Sequence, residues 1–431
     1  MSPSAVIRPV ENHYDVIVAG GGTAGVAAAV SAARNGARTL LVERSRCLGG
    51  ASTLRNVVTY CGLYTLSEQP LNVVGGVGAE VVGTLRSRGA LTGPHRHRGV
   101  FAIFDPETVK HVLDEITASA KVDVHYGAMV IGAKRDGTRM ESVTIAHSGG
   151  ILDVKGAAFV DCTGDGDLLA FGNVKHRYGN PDGVNLATLG TRFGGIAVDT
   201  LVTADDIVAA VAKYDGATSG QITKDRSVIA RLPISGDLVC YLASADYDPR
   251  DLVSHSKAER EGRKQAWHYL DILRTIDGCE QAYLVSTGPE FGTREARHLD
   301  SVGQITWSHI QNRHSFSDCI ALGAWGAEWH DRDSYASSFD YPPDKGAYEI
   351  PLSCLTSQNT QNLWVAGRLS DGDRLAGAAI RVMGTAFALG QAAGTAAAVA
   401  ADEREPNANT VRAQLIRDGA YLDRTQLQQA T

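Results

Sequence analysis

Cysteine is sparse and unpaired in this sequence. Its seven cysteines, Cys47, Cys61, Cys162, Cys240, Cys279, Cys319 and Cys354, include no CxxC or CxxxxC pair. That argues against a structural zinc site and a vicinal redox disulfide, so no metal is expected and the thiols are read as reduced. Basic residues are not in excess either. With 41 Lys and Arg against 48 Asp and Glu, net −7, there is no electrostatic footprint for nucleic acid. No apolar run reaches the roughly 20 residues that span a bilayer, and Met1 to His13 is polar with prolines, unlike a signal sequence. A cytoplasmic setting is the expectation. What remains is ordinary globular composition, 44% apolar and 21% charged, in a 431-residue chain too long for one core.

Against those absences stands one glycine turn, Gly20-Gly21-Gly22-Thr23-Ala24-Gly25. The apolar run Tyr14 to Ala19 leads into it, and the small-residue stretch Val26 to Ala33 follows with helical character. A second apolar run, Thr39 to Val42, ends at Glu43. Strand, glycine turn, helix, strand and acid form the βαβ dinucleotide fingerprint in its required context. Gly20 permits the tight turn, Gly22 lets backbone approach a pyrophosphate, and Gly25 lets the helix pack close. The helix N-terminus offers free N–H groups and the positive end of its dipole to the phosphates. Glu43 is placed to accept from the adenosine ribose.

The following segments choose between dinucleotides. Gly49-Gly50 allows the chain to pass close over a flat ring. Asp105-Pro106-Glu107 opens a helix over Thr108 to Ser119, with proline in its first turn. Val122 to Lys134, Met140 to His147 and the strand Ala157 to Asp161, separated by glycine turns, read as a β-meander and a return strand. These are the additions that an FAD-binding Rossmann domain makes to the plain mononucleotide unit.

On those motifs, together with Gly75 to Glu80, Asp161 to Asp167, Gly292 to Arg297, Tyr348 to Pro351 and Asn362 to Ala400, the chain resembles the FAD-dependent oxidoreductase family. That family has the glutathione-reductase-type flavin fold and is related to the succinate dehydrogenase/fumarate reductase flavoproteins. The matches run in the family's order along nearly the whole chain. The resemblance implies an α/β fold: a Rossmann-type FAD-binding domain with a parallel sheet and β-meander, plus an inserted α+β substrate lobe. Residues 14–170 and 349–401 would form the FAD domain, 171–348 the lobe, and 402–431 a C-terminal helical tail. The implied FAD contacts are Gly20, Gly22, Thr23, Ala24, Gly25, Glu43, Arg44, Gly49, Gly50, Ala51, Ser52, Thr163, Gly164, Asp165, Gly367, Ala378 and Ala379. The strand Leu363 to Val365 would return to the sheet. The small-residue helix after Ala379 would aim its N-terminus at the flavin N1–C2 edge, favouring the charge of reduced flavin.

Aromatic residues gather in the lobe: Trp307, Trp325, Trp329, Tyr335 and Tyr341 are each candidates for a pocket wall or for core. Arg294 either grips substrate or pairs with Glu295 to fix a loop. His330 is the candidate base, since imidazole accepts a proton at neutral pH as hydride departs from a C–H bond; His298, His309 and His314 compete with it. Cys61, shortly after Gly49-Gly50, is a candidate for a bond to the flavin 8α-methyl, with a free thiol as its alternative. No second glycine fingerprint marks an NAD(P)H domain. The expected function is an FAD-dependent dehydrogenase or oxidase passing hydride from a small organic substrate to flavin N5, with oxygen, a quinone or a carrier as electron acceptor. The alternatives are a flavin hydroperoxide monooxygenase using NAD(P)H and a non-catalytic flavin-binding protein.

Overall fold

The structure is a computed structural model that describes residues 12–181, 183–214, 221–403 and 407–429. Residues 1–11 of the polar leading stretch, and 404–406 and 430–431 of the expected tail, lie outside the described residues. The glycine fingerprint folds as β1 (His13–Ala19), α1 (Thr23–Arg34) and β2 (Thr39–Glu43). Five strands run parallel, in the order Asp123–Tyr126, β2, β1, Gly150–Asp161, Leu363–Val365. Every residue of β2 is buried, as expected of a parallel strand covered on both faces. Gly150–Asp161 is long enough to serve two partners. Its second half pairs with β1 and Leu363–Val365, and its first half pairs antiparallel with Arg139–His147, which continues to Met129–Asp136. This is the meander.

The run Val122 to Lys134 is two strands rather than one. Gly127 adopts φ +62 and donates its N–H to the Ser45 carbonyl, so the chain turns between Asp123–Tyr126 and Met129–Asp136. The turn sends the first piece to β2 and the second into the meander. The C-terminal block also divides. Leu375 to Ala379 is itself helical, within Arg374–Ile380, and a 90° bend separates it from the helix Met383–Glu403. Among the described residues no single helix is long and apolar enough to cross a membrane.

Met383–Glu403 and α1 pack backbone against backbone. A Cβ on Gly390 would lie 2.1 Å from the Ala24 carbonyl oxygen, and one on Gly394 would lie 2.0 Å from that of Ala28. Both pairs are one helical turn apart, so the two glycines fix the register of the helices. Between them and the helix ends, Ser31 Oγ meets Thr395 Oγ1 at 2.8 Å, satisfying two hydroxyls that the contact has buried.

A second core draws only on residues 187–291. Its sheet orders Ile229–Arg231, Leu238–Cys240, Thr191–Gly194 and Tyr283–Thr287, all antiparallel, and the 22-residue helix Leu252–Leu273 lays Ala258, Tyr269, Leu270 and Leu273 into that core. Residues 305–355 pack with the main core instead. They contribute the antiparallel pairs Cys319–Gly323 with Tyr348–Pro351 and Ala327–His330 with Ser337–Asp340.

The helix contact sets a direct test. Gly394→Ala should lower stability by roughly 1–3 kcal/mol through overpacking. Gly83→Ala, in the helix Gly76–Ser87 with open space where the methyl would sit, should raise it by roughly 0.5–1 kcal/mol. Thermal unfolding midpoints of the two variants should therefore move in opposite directions; equal midpoints would deny the close contact.

Candidate active site

The turn at the end of β1 is built from backbone proximity. Gly20 has φ +94, and a Cβ on Gly25 would fall 1.7 Å from the Gly20 carbonyl oxygen. The first turn of α1 thereby sits against the end of β1. Gly22 caps α1 without a side-chain hydrogen bond, and no acid occupies the first turn. The N-terminal N–H groups and dipole are left for an external anion. Gly49 donates its N–H to the Gly21 carbonyl, which brings Gly49, Gly50, Ala51 and Ser52 of α2 (Ala51–Leu54) beside this turn.

Glu43, at the end of β2, is 5% exposed. Its Oε2 accepts from Gly21 N–H at 2.6 Å and its Oε1 from Ser45 N–H at 2.7 Å. Each carboxylate oxygen keeps a lone pair for a ribose hydroxyl. The uncapped helix, the glycine cradle and the half-used carboxylate together fit an adenosine diphosphate. Arg44 extends to Glu290 at 2.6 Å and borders an open cavity with Ser45, Met129 and residues of Leu252–Leu273. Thr163, Gly164 and Asp165 lie on the next strand end. Asp161 ties that turn down by accepting from Thr163 N–H and Oγ1 and from Leu169 N–H. Burial acts to raise the Asp165 pKa, but Arg368, Arg55 and Arg44 outweigh it and hold the carboxyl below its ordinary value. Gly367, φ +72, sits against Ala24. Ala378 and Ala379 are buried in the helix Arg374–Ile380 and do not line the cavity described next.

That cavity holds about 500 Å³ and lies between α2, the bend before Met383–Glu403 and the strand Ala327–His330. The two-residue period of the strand places Glu328 and His330 on one face; both line the cavity, whereas Trp329 turns away and packs under Arg374. His330 Nε2 stands 3.5 Å from Glu328 Oε1, and its Nδ1 is buried with no hydrogen-bond partner. Burial, then the charges of Arg294 and Lys224, push the His330 pKa down to about 3, so the imidazole is neutral at physiological pH. Glu328 is the opposite case. Burial works to raise it, but the adjacent His330, then the Arg381 and Arg294 charges, hold it well below the usual carboxylate range. The result is a neutral base beside an ionised acid.

Arg294 donates to the Leu186 carbonyl and lines the cavity; it does not pair with Glu295. Glu295 faces the other way, where Asn180, Asn185 and His298 bind its carboxylate. His298 is committed to that network, and His309 forms the capping box of Trp307–Gln311, its ring tilted against that of His314. None of these three competitors lines the cavity. Of the five candidate aromatics, Trp325 and Tyr335 line it. Cys61 is also on the wall, where burial and then Glu328 push its thiol up to about 12 and keep it protonated.

Several cavity residues escaped the sequence reading: Arg55, Lys224, Tyr241, Glu328, Arg368 and Arg381. Glu328 was within reach, two residues before His330 in an alternating strand. Arg381 also carried a signal, a lone charge inside the small-residue run Ala378 to Ala388.

A model of the family described as "FAD dependent oxidoreductase" matches residues 15–418. The chain belongs to this family. FAD is its cofactor, and the family is one of enzymes. A 62-residue stretch is 42% identical to vinyl phenol reductase of Lactiplantibacillus plantarum; it covers 14% of this chain and only 13% of that protein's length. Solved structures similar to this chain include a geranylgeranyl bacteriochlorophyll reductase-like protein from Thermoplasma acidophilum, at 13% identity and TM-score 0.48 over 95% of this chain and 84% of that one. The p-nitrophenol 4-monooxygenase of Pseudomonas putida matches at 10% identity and TM-score 0.43, over 95% and 85% of the two chains.

Two measurements bear on the site. Glu43→Gln keeps the shape of the acceptor but loses its charge, so FAD retention on desalting should weaken by roughly tenfold in Kd. His330, with its folded pKa below the ordinary histidine value, stabilises the fold above about pH 6.5, and that contribution erodes as pH falls from there toward 3. Between pH 7 and 5 the melting midpoint of His330→Gln should fall less steeply than that of the wild type. An equal slope would mean the imidazole is solvated.

Proposed function

We propose that the protein is an FAD-dependent dehydrogenase or oxidase that takes a hydride from a small organic substrate. The observation that carries this reading is the neutral His330 imidazole standing 3.5 Å from the ionised Glu328 carboxylate on a cavity wall. The same cavity is bordered by Ala51, Arg368 and Met383, which adjoin the segments that form the FAD cradle and its C-terminal half. Bound FAD supplies the hydride acceptor at its N5. Hydride departure from a carbon beside oxygen or nitrogen leaves a proton to be removed, and His330 is the group that takes it. In the tautomer that carries its hydrogen on the buried Nδ1, the Nε2 lone pair is the one on the cavity side, so the proton arrives at Nε2. The imidazolium then forms next to the Glu328 carboxylate, which stabilises it by an ion pair in a site of low dielectric. Arg294 and Arg381 face the same space as Glu328, Arg381 donating to the Glu328 carbonyl at 3.1 Å. They orient the substrate relative to the base. Phe101 and Trp325 supply apolar wall and keep water from the reacting atoms.

Anaerobic mixing tests the reading. A panel of alcohols, amines, hydroxy acids and amino acids should contain at least one compound that bleaches the flavin without any nicotinamide. His330→Asn should retain FAD and slow that bleaching by roughly 10²–10⁴-fold. Bleaching by NAD(P)H alone would favour a monooxygenase and overturn the proposal.

A further inference from the structure

The chain as a whole is acidic, net −7, yet its cavity is not. Seven Lys and Arg side chains line the cavity against two carboxylates, Asp225 and Glu328. Four of the seven are already engaged: Arg55 with Glu290, Arg368 with Asp165, Arg226 with Asp205, and Arg98 with the Ser337 carbonyl and hydroxyl. Three are not. Lys224 Nζ has no hydrogen-bond or ion-pair partner among the described residues. Arg294 donates to one carbonyl, that of Leu186, and Arg381 to one carbonyl, that of Glu328, leaving its buried Nε without a partner. Among the described residues Glu328 is the one cavity carboxylate whose charge acts on all three, so the site carries uncompensated positive charge. Burying cations without partners is costly, and such a site is stabilised by an anion that fills it.

Lys224 is also held in place deliberately. The Tyr269 hydroxyl, from the helix Leu252–Leu273, accepts the Lys224 N–H at 2.9 Å and donates to the Lys224 carbonyl at 2.7 Å. The backbone is pinned at both polar groups while the ammonium is left free. A lysine needed only for packing has no use for that arrangement.

We infer that the cavity binds an organic carboxylate, with Lys224, Arg294 and Arg381 as its counter-charges and Tyr269 as the residue that positions Lys224. This names the substrate class for the hydride-transfer reading and rests on it. The guanidiniums stay charged throughout the neutral range despite the burial, and in Arg294 the Arg381 charge, that lower them. Lys224 does not. Burial, then the Arg294 charge, bring it down to about 7 against the opposing pull of Glu328, while neutral His330 faces the same space. It is protonated below that pH and holds the anion; above it the charge is lost, so affinity falls as pH rises. The bound carboxylate also cancels part of the Arg294 and Lys224 charge that depresses His330, which raises the basicity of the imidazole once substrate is in place.

Calorimetric titration of the FAD-loaded protein with acetate, malonate and benzoate, each against its amide, tests this without turnover. At least one carboxylate should bind tenfold or more tightly than its amide at pH 6.5, and its affinity should fall roughly tenfold by pH 8.5. Lys224→Arg should keep the affinity and remove most of that pH dependence; Lys224→Met should weaken binding roughly tenfold at pH 6.5 and also flatten the profile. Tyr269→Phe should weaken carboxylate binding at pH 6.5 and leave amide binding as it was. Amides binding as tightly as carboxylates, no carboxylate binding, or an unchanged pH slope in Lys224→Arg would each overturn the assignment. Carboxylate binding with this pH profile in a protein whose flavin no organic donor bleaches would keep the anion site and reject the hydride-transfer reading.

Discussion

Backbone-to-backbone approach between α1 and the helix Met383–Glu403 is the constraint on which the rest of the molecule depends. Gly390 and Gly394 meet the Ala24 and Ala28 carbonyls at distances that exclude any side chain. The N-terminal turn of α1 is pinned as well, by Gly25 against the Gly20 carbonyl. Its N-terminus, and with it the direction of its dipole, has no freedom to drift. A site that binds a diphosphate through helix N–H groups needs this rigidity, because such donors act only where they are already aimed. The bend that precedes Met383–Glu403 carries Arg381 to the cavity, so one contact positions both the cofactor cradle and part of the substrate wall.

Electrostatics divides the molecule into two regimes. Around the cradle the charges are balanced: Asp165 answers Arg368, and Glu290 answers both Arg44 and Arg55. Those pairs tie the segment of residues 44–55 to Glu290 and the turn at Asp165 to Arg368. In the cavity balance fails: among the described residues Glu328 is the carboxylate that acts on all of Lys224, Arg294 and Arg381, with Glu295 adding only to Arg381. Unfilled charge in a folded protein is expensive, and it persists where function requires it. The neutral state of His330 follows from its burial first and then from the same field, since neighbouring cations resist the addition of another.

The cradle was legible in the sequence because its parts are close along the chain. Gly20 to Gly25 and Glu43 belong to a single βαβ unit whose two periods, of strand and helix, announce each element. The strand Leu363–Val365 was legible for a different reason: a short apolar run ending in glycine, far from the fingerprint, has few other places to go in such a fold. The cavity was not legible as a whole. Its wall is assembled from α2, the segment around Lys224, the residues after Gly292, the strand Ala327–His330 and the helix bend, and no periodicity links them. Lys224 looks like any loop lysine until Tyr269, forty-five residues later, is seen to hold it. The break at Gly127 failed for a local reason, since glycine between two β-rich stretches marks either a bulge or a turn, and only the Ser45 carbonyl decides which.

The order of the central strands has a consequence for biosynthesis. β1 and β2 emerge first, but Gly150–Asp161 lies between β1 and Leu363–Val365, and α1 is covered by a helix that begins only at Met383. A nascent chain would expose the face of α1 that the glycines later cover for most of its translation. The second core, drawn from residues 187–291 alone, can close while that face is still bare. The α1 face that Gly390 and Gly394 cover is thus completed only once Met383–Glu403 has been made, although the unit it belongs to is the one that reads most clearly in the sequence.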